Sequence, residues 1–129
     1  MAGALGPERA LVGLAAIAGA VGVALAAAAA HVAAGPTLET SARFLLFHAP
    51  VLLALSAIIR QGLVHRRAGL AAGAALAVGL TLFSGDLAWR ALLGSVPVPM
   101  AAPTGGTVLI GGWALLLAAT VAAPRQIGG

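Results

Sequence analysis

Four stretches of the chain are apolar over nearly the length needed to cross a bilayer. They span residues 10–30, 44–59, 68–93 and 105–123. A helix needs roughly 20 apolar residues to cross about 30 Å of hydrocarbon, and its own hydrogen bonds satisfy the backbone there. Only 8% of the 129 residues are charged. The sequence therefore predicts an all-α integral membrane protein with one domain over residues 1–129.

Glycine, proline and arginine separate these runs, at residues 35–36, 60–67 and 94–103. Short polar or proline-rich separators predict loops between antiparallel helices. Glu8 beside Arg9 makes a poor signal-peptide start, so the first run is expected to remain as a helix. We expect an up-and-down four-helix bundle with helices over residues 8–31, 38–62, 67–93 and 104–123.

The charges predict an orientation for this bundle. The chain has seven basic residues, all of them arginine, and three acids. The loops and ends on one predicted side hold five arginines: Arg9, Arg60, Arg66, Arg67 and Arg125. The opposite loops hold only Arg43 and Arg90. Because arginine-rich segments stay inside, both termini are predicted to be cytoplasmic. Arginines scattered between apolar runs do not indicate a nucleic-acid partner.

Small residues at helical spacing predict close contacts between helices, since lipid gives helices no hydrophobic reason to associate. Gly69 and Gly73 form a G-x-x-x-G pair, and Gly22 lies in a stripe with Ala18 and Ala26. On the last helix the predicted packing glycines are Gly105, Gly106 and Gly111.

The polar residues of the apolar runs fall on the predicted outer side. The candidate cluster is His31, Glu39, Arg43, His48, Ser84, Asp86 and Arg90. Together these residues could line one polar pocket, although Asp86 and Arg90 at (i, i+4) spacing also fit a structural ion pair. Two histidines without a third ligand are weak evidence for metal or haem. With no cysteine and no catalytic constellation, neither a cofactor nor an enzymatic activity is expected.

Several short motifs follow one another along the chain. They are A-A-H at 29–31, F-L-L-F-H at 44–48, F-S-G-D-L at 83–87, and P-T-G-G at 103–106 followed by G-W at 112–113. Read together, they resemble the YgdD family of small four-helix inner-membrane proteins of unknown function, which has TMEM-type eukaryotic relatives. The resemblance implies a multi-pass protein of the bacterial inner membrane. The chain departs from the family at Ala29, which stands in place of glycine, at Phe44 and Phe47, which stand in place of tyrosines, and at Asp86, which stands in place of serine.

Three functions remain open at this point. The first is a structural or accessory subunit, or a stabiliser, of a larger membrane complex, because the chain has almost no soluble mass. The second is a small-solute or ion transporter acting as a homo-oligomer, suggested by His48, Asp86 and Arg90. The third and weakest is histidine-based metal or haem binding. The expected partners are the lipid bilayer and either other membrane subunits or further copies of the chain.

Overall fold

Four long helices make up the fold. The computed structural model describes residues 3, 5–31 and 35–125, so the ends of the predicted domain and residues 32–34 lie outside the description. The helices are α1 (Pro7–His31), α2 (Gly35–Arg60), α3 (Arg66–Leu93) and α4 (Ala101–Val121), and the described residues contain no strand. Each helix is long and apolar enough to cross a membrane. The predicted all-α fold of a multi-pass membrane protein is confirmed.

Three of the helices begin with a proline inside their first turn, namely Pro7, Pro36 and Pro103. Proline is tolerated there because the first backbone N–H groups of a helix have no partner within the helix. α2 and α4 therefore start three residues earlier than the sequence predicts, since the proline lies within the first helical turn and does not mark the end of a loop.

Glycines in the left-handed region end α2 and α3. Gly62 has φ 71°, and the Leu63 N–H donates to the Ile58 carbonyl oxygen over 3.1 Å. At the end of α3, Gly94 has φ 67° and its N–H donates to the Arg90 carbonyl oxygen. Both arrangements are common helix stops, because glycine adopts positive φ without a steric penalty. α2 thus ends two residues before its predicted limit.

The helices pack in chain order. α1 packs along α2, α2 along α3 and α3 along α4, whereas α1 meets α3 at only a few positions. Within the described residues the backbones of α1 and α4 do not approach each other. At the centre of the core lie leucines from α2 and α3, including Leu52, Leu55, Leu76 and Leu80, and residues of α1 and α4 pack around them. One broad side of α1 and one of α4 consequently remain open to the surroundings.

The closest helix contact joins α3 and α4. A Cβ added to Gly79 would lie 2.8 Å from the Gly105 carbonyl oxygen, and one added to Gly105 would lie 2.5 Å from the Phe83 nitrogen. These distances leave no space for a methyl group, and the atoms that limit the space belong to backbones. Gly105 was predicted as a packing residue, whereas Gly79 was not.

The other predicted glycines divide into contact and non-contact positions. Gly22 faces Leu46, Gly69 faces Ile59, and Gly73 faces Leu11. A Cβ added at any of these glycines would lie 2.9 Å from the facing side chain, which is closer than carbon atoms normally approach. Gly106 has Phe83 at ordinary contact distance. Gly111 lies on the exposed side of α4, where an added Cβ would meet no neighbouring atom within 4 Å, so its predicted packing role is corrected; the buried neighbour Gly112 faces Leu76 instead.

Candidate functional site

The seven predicted polar residues lie in one half of the bundle, but the structure distributes them over several faces. Glu39 and Arg43 line one cavity, His48 lines a second and Ser84 a third. The reason is helical geometry: positions two residues apart, such as Ser84 and Asp86, point about 200° apart around a helix. The single polar pocket that the sequence suggested is not formed by these residues.

The outermost members of the set are exposed. His31 lies exposed at the end of α1. Glu39 and Arg43 form an (i, i+4) ion pair in which both side chains are more than half exposed. Exposed pairs of this kind contribute about 0–1 kcal/mol to stability. They border a cavity of about 550 Å³ whose remaining lining comes mainly from alanines of α1 and α2.

His48 is buried where α2 approaches α4. Its Nδ1 lies 2.8 Å from the Phe44 carbonyl oxygen, and Trp113 Nε1 lies 3.3 Å from its Nε2. A carbonyl oxygen can only accept and an indole N–H can only donate. In this arrangement Nδ1 therefore donates and Nε2 accepts. With both ring nitrogens engaged, His48 could bind a metal only after losing one of these bonds.

Aromatic rings surround His48 and join three helices. The rings of Phe44 and Phe83 have centroids 4.4 Å apart, and the rings of His48 and Trp113 have centroids 6.0 Å apart. α2 and α4 are too far apart for direct backbone contact, and these large side chains reach across the gap and border a cavity of about 260 Å³. The arrangement is that of a packing cluster with one internal polar link.

Asp86 is the most deeply buried charged residue of the set. It is 4% exposed, and Arg90 Nε donates to its Oδ2 over 2.8 Å. Its second oxygen, Oδ1, is buried without a hydrogen-bond partner in the described residues. Arg90 keeps 37% of its side chain exposed, so the pair reaches from the interior to the surface. A buried carboxylate with only one of its two oxygens hydrogen-bonded costs folding free energy. Such a residue within an apolar helix is therefore a candidate for a structural or functional role.

Ser84 occupies the junction of α2 and α3. The Ser41 hydroxyl donates to the Ser84 carbonyl oxygen over 2.7 Å, which ties the two helices together. The Ser84 hydroxyl is itself buried and has no partner in the described residues. It lines an apolar groove of about 230 Å³ bordered by α1, α2 and α3.

The opposite half of the bundle contains a second cluster of polar residues. From the sequence, its arginines served only to predict the orientation in the membrane. Arg66 donates to the Glu8 carboxylate over 2.7 Å, and the Ser56 hydroxyl donates to the Glu8 carbonyl oxygen over 2.8 Å. These bonds attach the start of α1 to both α2 and α3. Arg9 and Arg60 line a cavity of about 410 Å³ beside them.

A comparison with known protein families identifies the family of this chain. Residues 10–106 match the family model described as a protein of unknown function, DUF423. The chain belongs to the DUF423 family. No solved structure matches it.

The DUF423 match includes most of the polar residues described above, from His31 to Arg90, but ends before Trp113. The partner of His48 therefore lies beyond the matched segment. Glu8 and Arg9, at the other end of the chain, also precede it.

Sequence reasoning missed several of the residues that join helices in this DUF423 protein, namely Ser41, Ser56, Gly79 and Gly112. The two serines carry a recognisable signal, because each is a hydroxyl within an otherwise apolar helix and buried hydroxyls need partners. Gly79 and Gly112 carry none, because glycine and alanine are too frequent in this chain for one spacing to stand out.

Proposed function

We propose that this DUF423 chain is a structural or accessory subunit of a larger membrane complex. The observation that carries the proposal is that no other helix of the described chain covers the outer sides of the two edge helices, α1 and α4. α1 and α4 each bury one side only, and their outer sides expose small residues at helical spacing. These residues are Gly13, Ala16 and Ala20 on α1, and Gly111, Ala114 and Ala118 on α4. Small residues allow another transmembrane helix to approach closely.

The polar interior supports a non-enzymatic role. His48 uses both ring nitrogens within the bundle, and Asp86 is bonded to Arg90. The described residues contain no group of three or more side chains suited to holding a metal ion. We expect no catalytic activity from this arrangement, because no histidine, hydroxyl and carboxylate meet in one site in the part of the chain that the structure describes.

We further propose that the protein resides in the bacterial inner membrane with both termini in the cytoplasm. Support comes from the arginines, which lie mainly at the end of the bundle that carries the start of α1 and the end of α4. The narrower relation to the YgdD group remains a resemblance based on the motifs around His31, His48 and Ser84.

The test is affinity purification of the tagged chain from native membranes in a mild detergent, followed by identification of stoichiometric partners. Gly111→Leu and Gly13→Leu add bulk where the chain itself leaves open space. We expect each variant to fold and to lose the partner that packs on its helix. Ile110→Leu, at an exposed neighbouring position, is the control that should retain the partner. A monomer without partners in native membranes would contradict the proposal.

A second candidate, transport of a small solute or ion by a homo-oligomer, has one observation in its favour: the buried Asp86 Oδ1 without a hydrogen-bond partner. An ionisable group of this kind within a membrane segment commonly belongs to a transport path. Flux should be measured in proteoliposomes for the wild type, Asp86→Asn and His48→Ala, with the exposed Glu39→Gln as control. Transport requires a loss in Asp86→Asn that Glu39→Gln does not show.

A further inference from the structure

The net charge of the molecule lies entirely at one end. The end formed by the start of α1, the α2–α3 loop and the end of α4 holds five arginines against one acid, Glu8. The other end holds two arginines and two acids, which pair with each other as Glu39–Arg43 and Asp86–Arg90. The formal charge of +4 is therefore the charge of the first end alone.

Within this basic end, one cavity lies between the start of α1 and the last turn of α2. It measures about 410 Å³ and is lined by Gly6, Glu8, Arg9, Val12, Ser56 and Arg60. This volume falls in the range of roughly 300–1,000 Å³ that is typical of small-molecule pockets. The Ser56–Glu8 and Arg66–Glu8 bonds hold two of its walls in place.

Neither arginine of the cavity forms an ion pair within the described residues, although the Glu8 carboxylate lies within electrostatic range of Arg60. The Glu8 carboxylate forms its ion pair with Arg66. Two guanidinium groups beside a shared cavity attract an anion, and their planar donor arrangement matches the oxygens of a phosphate group.

We propose that this cavity binds the phosphate group of an anionic phospholipid. Arg9 and Arg60 contact the phosphate, and Ser56 lies at the base of the site. Deeper on each helix an apolar side chain is exposed: Val12 lies one turn beyond Arg9 on α1 (42%), and Leu53 lies two turns before Arg60 on α2 (51%). This order, with charge at the membrane surface and exposed apolar side chains beneath it, fits a lipid whose acyl chains follow the seam between α1 and α2.

Native mass spectrometry of the purified full chain tests the site. Phosphatidylglycerol, phosphatidylcholine and inorganic phosphate are titrated separately in a non-ionic detergent. We expect saturable one-to-one binding of phosphatidylglycerol, and binding of phosphatidylcholine that is weaker by about tenfold or more. Phosphatidylcholine carries the same phosphate, but its quaternary ammonium group cancels the charge of the headgroup and is repelled by the two guanidinium groups. Inorganic phosphate should compete only weakly, because it lacks the apolar part.

Matched double variants separate the cavity from the general charge of this end. Arg9→Gln/Arg60→Gln should weaken phosphatidylglycerol binding by about tenfold or more, because both phosphate contacts are removed. Arg67→Gln/Arg125→Gln removes the same charge from the same end without touching the cavity, and should leave binding nearly unchanged. Arg60→Lys retains the charge and should retain part of the affinity. Circular dichroism establishes that each variant keeps its helices.

Three results would overturn the proposal. Equal losses in the two double variants would show that surface charge alone attracts the lipid. Inorganic phosphate that displaces phosphatidylglycerol at equal concentration would assign the cavity to a free anion. Phosphatidylglycerol that binds without saturation, or no more tightly than phosphatidylcholine, would show that the cavity does not select an anionic phospholipid.

Discussion

At Gly105 a single methyl group would collide with the backbone of the neighbouring helix, 2.5 Å from the Phe83 nitrogen. Gly105→Ala should therefore force α3 and α4 apart and lower the free energy of unfolding by about 1–3 kcal/mol, the usual cost of overpacking. Gly111→Ala is the matched control on the same helix, because its Cβ meets nothing within 4 Å. Unfolding in mixed detergent micelles, followed by circular dichroism, measures both. A loss of similar size in Gly111→Ala would contradict this description.

The Asp86–Arg90 pair gives a second prediction for single residues. Arg90→Leu leaves the Asp86 carboxylate buried without its partner, and should cost about 1–3 kcal/mol in the free energy of unfolding. Adding Asp86→Asn to the same chain should recover much of that loss, because the charge is then gone. Arg43→Leu, which removes an exposed pair, should cost no more than about 1 kcal/mol. Equal losses for Arg90→Leu and Arg43→Leu would argue against a buried carboxylate.

Residue-scale features are also where the sequence predicts least. Gly111 and Gly112 are neighbours, yet a step of one residue turns about 100° around the helix, so one is exposed and the other packs on Leu76. Periodicity cannot distinguish them when small residues occur on every side. In the same way, Ser84 and Asp86 belong to one sequence motif but point to different surroundings.

Between elements, the Ser41 hydroxyl supplies one of the few polar links, from α2 to the Ser84 carbonyl oxygen on α3. Ser41→Ala should cost about 0.5–1.5 kcal/mol in the free energy of unfolding and should speed amide hydrogen exchange in α3 near Ser84. Thr40→Ala is the adjacent control, because the Thr40 hydroxyl is exposed and bonds the Pro36 carbonyl oxygen of its own helix. Unchanged exchange in Ser41→Ala would show that packing alone joins these helices.

The helices themselves were accessible from sequence because length and apolarity are sufficient to predict a membrane helix. The sequence predicts the starts of α2 and α4 too far along the chain. It does so because proline usually indicates a loop, although the first helical turn also accepts proline, as at Pro36 and Pro103. Which helices would touch could not be predicted. Contact depends on particular side chains such as Leu46 against Gly22, and a uniform apolar run does not specify them.

For the whole molecule, the arrangement of the loops predicts a labelling pattern. The chain has no cysteine, so single cysteines report accessibility without background. Gln61→Cys in the α2–α3 loop and Ala123→Cys after α4 should react with an impermeant thiol reagent from the same side of the membrane. Val96→Cys in the α3–α4 loop should react only from the other side. Labelling of Gln61→Cys and Val96→Cys from one side would contradict the up-and-down order.

The packing of each helix mainly against its neighbours in the chain has a consequence for biogenesis. α1 with α2 and α3 with α4 form the two most extensive contacts, and each needs only the residues of one hairpin. A ribosome-bound chain can therefore insert and assemble its first half before its second half has been synthesised. The α2–α3 contact then joins two preformed halves, and no step requires the first helix to wait for the last.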